Sequence, residues 1–94
     1  MKIINFEENN ERCGLVIDCD AVYFFTASPH RHLYEPDRNY TITYNIEDWD
    51  FNNKIYTSLM KIKTFTDGRI EKNHSQFLKK LTLDEVVPYL RYII

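Results

Sequence analysis

Ninety-four residues, 44% of them hydrophobic and 28% charged, with a formal net charge of −2, describe one globular domain that buries roughly 60–70% of the surface its unfolded chain exposes. No apolar run approaches the ~18 residues that span a bilayer, and MKIINFEENNER lacks the basic head, apolar middle and small-residue cleavage site of a signal peptide, so a cytoplasmic protein without membrane association is expected. Residues 1–53 hold ten acids against four bases and residues 54–94 eight bases against four acids. That is neither a basic nucleic-acid footprint nor the dense acid run of a DNA mimic, so nucleic acid is not expected as a partner.

In chain order, Lys2 to Phe6 is short and β-branched and is expected to form a first strand, with Glu7 to Arg12 a polar turn. Cys13 to Thr26 is the most β-prone segment. It reads either as one long strand or as a hairpin turned by Asp18-Cys19-Asp20, and two strands or a bent one are preferred because a single strand would be long for a small domain. Cys13 and Cys19 on one strand would stand about 20 Å apart, beyond disulfide reach. Reduced thiols are expected, and there are too few for a zinc site.

The string LVIDCDAV, Leu15 to Val22, is similar to the first motif of haloacid-dehalogenase-like phosphatases. That resemblance implies a nucleophilic Asp18 and a proton-handling Asp20 at the carboxyl end of a parallel strand. Such an enzyme needs crossover helices, a downstream lysine and a further acidic pair, and this chain has neither the length nor the βα alternation for them. No catalytic residue is assigned.

Ala27 to Asn39, punctuated by Pro29 and Pro36, reads as a loop near a dozen residues long. It carries His30-x-His32 with Glu35 and Asp37 close by, side chains suited to zinc, iron or nickel. An exposed polar loop is the simpler reading, and no cofactor is assigned. Tyr40 to Ile46 alternates cleanly, with Tyr40, Ile42, Tyr44 and Ile46 on one side, and predicts a half-buried strand. Glu47 to Asn53 is expected to form a turn whose aromatics fold back on the core.

Lys54 to Phe65 fits a helix by Ile55, Leu59 and Ile62 and a strand by its threonine-rich end, and Asp67-Gly68 decides for a strand. A type I′ turn there would set Phe65 opposite Ile70 and Thr64 opposite Glu71. Lys72 to Lys80 leads on through a strand or a helical turn. Leu81 to Ile94 predicts a helix: Thr82 can cap it with Glu85 closing a capping box, and Leu83, Val86, Val87, Leu90, Ile93 and Ile94 recur at helical spacing toward a core. Pro88 predicts a kink or a broken first turn. The expected fold is α+β over residues 1–94, an antiparallel sheet of roughly four to six strands with a hairpin at Asp67-Gly68 and the C-terminal helix packed on one face.

Seven tyrosines are more than so small a core hides easily, and tyrosine suits binding surfaces. The expected function is therefore a protein-binding module of inhibitor or immunity (anti-defence) type, docking on a larger protein or on a second copy of itself. Its Asn-, Ile- and Lys-rich composition suits phage or mobile-element coding. The expected contact residues are Tyr34, Tyr40, Glu47, Asp48, Trp49, Asp50 and Phe51, which combine aromatic anchors with charge. The alternative is a metal-dependent enzyme or metal-binding domain using His30, His32 and Glu35.

Overall fold

The computed structural model describes residues 1–26 and 39–94. They fall into two compact units, one made of 1–26 with 79–94 and the other of 39–78. Antiparallel strands followed by a C-terminal helix bear out the α+β expectation in outline, but the strands form two sheets and not one. The expected loop over Ala27–Asn39 lies, apart from Asn39, outside the described residues.

The first unit pairs β1 (Lys2–Glu8), β2 (Glu11–Asp18), β3 (Ala21–Thr26) and the short β7 (Lys79–Lys80) in that order, antiparallel throughout. Asn9 and Asn10, with φ of 53° and 65°, form the two-residue loop between Glu8 and Glu11. Type I′ turns require positive φ at both central positions, and asparagine tolerates it. At Asp18-Cys19-Asp20 the hairpin reading holds: Asp18 pairs with Ala21, and Cys19 alone has positive φ, 52°. Asp18 thus ends β2 and Asp20 lies in the two-residue hairpin turn of an antiparallel sheet, without the parallel strand that the phosphatase likeness requires.

β2 is the central strand and its middle is buried on both sides. Leu15 lies between Ile4 and Phe24, and Cys13 between Phe6 and Thr26, on one face. Val16 and Gly14 lie on the other, where Gly14 pairs with Phe25. The Phe25 ring sits so close that a Cβ on residue 14 would come within 2.1 Å of its Cζ. Glycine is what lets the ring lie flat on the strand.

The C-terminal segment closes the Phe6 and Phe24 face. Thr82 caps α1 (Leu83–Val86), its hydroxyl accepting from the Glu85 amide while the Glu85 carboxylate accepts from the Thr82 amide. Lys79 holds the same carboxylate at 2.9 Å. As Pro88 predicts, the helix breaks, into a 3-10 turn over Val87–Tyr89 followed by α2 (Leu90–Ile93).

Of the expected apolar stripe only Val86 and Ile93 are half-buried, and the rest does not face the core. Leu83 and Ile94 are 89% and 96% exposed, and Val87 and Leu90 are exposed as well. Tyr92 instead stacks on Phe6 at 4.1 Å between centroids, and Tyr89 leans on Phe6 and Phe24 at 5.7 and 5.5 Å. The half-buried Val86, Tyr89, Tyr92 and Ile93 and the exposed Leu83, Val87, Leu90 and Ile94 each recur at helical spacing through the break, so the expected stripe merges two neighbouring faces, of which the one carrying the tyrosines turns inward.

The second unit is a three-stranded sheet, β4 (Tyr40–Phe51), β5 (Lys54–Phe65) and β6 (Ile70–Phe77), with β5 central. β4 alternates between half-buried and exposed over Tyr40–Ile46 as expected. The turn expected over Glu47–Asn53 is wrong for most of its length, because the strand runs on to Phe51 and only Asn52-Asn53 turns. Their φ values of 54° and 65° repeat the asparagine-pair geometry. The alternation of acid and aromatic over Asp48–Phe51 is itself the period of a strand.

The hairpin at Asp67-Gly68 exists, with a different turn. Gly68, at φ 93°, donates to the Phe65 carbonyl and Phe65 donates to that of Arg69, which makes a type I turn closed by a glycine bulge. The added residue moves the pairing, so Ile70 stands opposite Thr64 and Glu71 opposite Lys63. Asp67 keeps the turn by accepting from the Arg69 amide at 3.0 Å.

Candidate functional site

Odd-numbered residues of β4 and even-numbered residues of β5 share a face of the second sheet, since Trp49 pairs with Tyr56, Glu47 with Ser58 and Phe51 with Lys54. On β6 the same face would alternate through Lys72 and His74 and miss Phe77. A bulge between the Leu59–Gln76 and Met60–His74 pairs inserts one extra residue and reverses the phase, so that His74 and Phe77 both face this way.

The result is a cluster of rings. Trp49 stacks on Phe77 at 5.5 Å and 18° and on His74 at 4.8 Å and 27°, and touches Phe51 at 5.6 Å; Tyr56 meets Phe77 at 5.3 Å. Trp49 stands on β4 and its two stacking partners on β6, so the indole spans β5 at the level of Ser58. A small residue is needed there. Ser58 is fully buried, and its hydroxyl lies 2.5 Å from His74 Nδ1 and 3.3 Å from the Glu47 carbonyl. The hydroxyl thus bridges the imidazole of β6 and the backbone of β4. A serine with no exposed surface has no access to a substrate, and this pair holds the cluster together.

Phe51, Tyr56 and Phe77 are 54%, 40% and 51% exposed. Beside the Trp49–Phe77 stack lie two grooves. One, about 300 Å³, is lined by Trp49, His74, Gln76 and Phe77; the other, about 400 Å³, by Trp49, Phe51, Tyr56 and Phe77.

Of the expected contact residues, Trp49 and Phe51 belong to this cluster and Glu47 sits next to it. Asp48 and Asp50 occupy the alternate positions of β4 and face the other side, as does Tyr40, which packs on Phe65 at 5.3 Å beneath the Lys63 ammonium. The expected set is therefore split between two faces by strand alternation, Trp49 and Phe51 with Glu47 on one and Asp48 and Asp50 with Tyr40 on the other. Tyr34 lies outside the described residues. Sequence reasoning missed Tyr56, Phe77 and His74. Reading Asn52-Asn53 as a type I′ pair would have placed Tyr56 opposite Trp49, whereas nothing in the spacing announces the bulge that delivers Phe77.

His30, His32 and Glu35 also lie outside the described residues, and among the described residues no three His, Cys, Asp or Glu side chains converge on a point. Both Cys13 and Cys19 are free. Burial pushes the Cys13 thiol up, with Glu11 and Glu8 adding to the shift, which keeps it protonated and unreactive. No helix among the described residues is long and apolar enough to cross a membrane. Comparison with protein-family models, with characterised proteins and with solved structures gives no match, so the reading of this face rests on its own geometry.

Proposed function

We propose that the chain is a small protein-binding module of inhibitor or immunity type, which docks on a larger protein through Trp49, Phe51, Tyr56 and Phe77 and occludes the surface beneath. The observation that carries this reading is the exposure of three neighbouring rings around a tryptophan that the sheet itself holds in place. Contiguous exposed apolar surface marks interaction sites, and aromatic anchors dominate binding energy. Pre-organisation supports it too: with Trp49 clamped by His74 and Phe77, little side-chain entropy remains to be lost on docking. Asp48 and Asp50 stand on the opposite face and are not contacts in this reading.

The test is affinity purification from the host's lysate with the native chain and with a Phe51→Ser/Tyr56→Ser variant, both positions being exposed enough to change without loss of the fold. A stoichiometric protein retained by the native chain and lost by the variant is expected. A variant that keeps its circular dichroism spectrum and every partner would remove the assignment.

A further inference from the structure

We infer that the aromatic face takes a proline-rich segment of the partner in the polyproline II conformation, an inference that rests on the protein-binding reading above. Area is the first argument. Three rings about half exposed, at roughly 150–250 Å² for each whole side chain, present on the order of 300 Å². A standard interface takes about 800 Å² from each partner, so this face by itself suits a linear segment better than a globular surface or a second copy of the chain.

Shape selects the conformation. The face offers not one trough of the kind that accepts a helix but two grooves that share the stacked Trp49 and Phe77 in their walls. Polyproline II has three residues per turn and a rise of about 3.1 Å, so two of its three rows of side chains can enter neighbouring grooves while the third points to solvent. Strand addition uses a sheet edge and would leave these rings idle.

Chemistry agrees with shape. A proline carries no amide hydrogen, so nothing on it is left unpaired in a groove lined by four aromatic rings. Its carbonyls remain exposed acceptors, and Tyr56 offers a hydroxyl donor at the rim. Lys54 stands on this face opposite Phe51, and Lys72 stands two residues from His74. Acidic residues flanking the prolines are their complement.

The experiment selects a phage library of random twelve-residue peptides on the full chain and titrates the enriched peptides against the fluorescence of Trp49, the only tryptophan. The expected peptides carry prolines three apart with flanking acids, and lose about tenfold or more in affinity on Tyr56→Ala, the scale of an aromatic hot spot. Enriched peptides without proline that still depend on Tyr56 and Phe51 would overturn the polyproline inference and leave the docking face standing. Peptides indifferent to Tyr56→Ala and to Phe51→Ala, or no enrichment, would overturn both. A ten-residue oligothymidylate that competes for the same rings, with affinity falling steeply as salt rises, would reassign the face to single-stranded nucleic acid.

Discussion

Gly14→Ala places a methyl carbon 2.1 Å from Phe25 Cζ and 2.6 and 2.7 Å from its Cε atoms. Carbon atoms in contact sit at about 3.5–4.0 Å, so the ring must retreat by roughly 1.5 Å. Phe25 is 1% exposed and has no open side to move into. Overpacking of this kind costs about 1–3 kcal/mol and more where nothing yields, against at most about 1 kcal/mol returned by replacing glycine within a strand. A net loss of about 1–3 kcal/mol is expected. In urea, with a slope near 1 kcal/mol/M for so short a chain, the unfolding midpoint should fall by about 1 M or more. Phe25→Leu alone should destabilise, but in the Gly14→Ala background it should recover about 1 kcal/mol or more, a coupling that only contacting residues show. A Gly14→Ala midpoint within about 0.5 M of the parent, or no recovery in the double variant, would refute the account of a ring lying on the strand.

Ser58→Ala removes the partner of His74 Nδ1 and should cost about 1–3 kcal/mol, with a change in the emission of Trp49 that His74→Ala reproduces; unchanged emission in both would separate the serine from the cluster. Cys19→Gly relieves a non-glycine residue at φ 52° and should raise the urea midpoint, a strain of about 1–2 kcal/mol being partly offset by the freer unfolded chain. The Glu85 carboxyl is held down to about 2 by Lys79 and by the Thr82 amide, against an ordinary value of 4.5. A group with a depressed folded pKa stabilises the fold above its unfolded value and loses that contribution as pH falls toward the folded one, so stability should decline between about pH 4.5 and 2, and Glu85→Gln should flatten that decline. Parallel pH profiles for parent and variant would exclude the pair as the cause. Thr82→Ala should cost about 1 kcal/mol through the lost cap, read as a lower midpoint in the same urea titration.

What could be read from the sequence was local. Thr82 and Glu85 are three residues apart and their box needs nothing from the rest of the chain; Tyr40 to Ile46 declares its strand by alternation; Pro88 announces the break. The orientation of the final helix was not legible, because Leu83, Val87, Leu90 and Ile94 make as apolar a row as Val86, Tyr89 and Ile93, and only the packing of the tyrosines on Phe6 and Phe24 decides between the two. The site shows the same division. Trp49 and Phe51 stand out by composition, while Tyr56, His74 and Phe77 join them only through pairing register and a single bulged residue. Asp48 and Asp50 looked like one surface with the aromatics because adjacency in the chain was read as adjacency in space, which an extended strand forbids.

The Asn52-Asn53 turn has a consequence for how such a surface can change over generations. Along Asp48–Phe51 two chemistries are interleaved, aromatic at Trp49 and Phe51 and acidic at Asp48 and Asp50, and the turn decides which of them the partner meets. Point substitutions alter one side at a time and leave the other intact. Loss or gain of a single residue in that turn would slide β4 against β5 by one step and exchange the sides wholesale, presenting carboxylates where the rings had been. A lineage that keeps its partner can therefore drift in ring identity yet tolerates no change in the length of this hairpin, whereas one under pressure to abandon a target has a one-codon route to doing so.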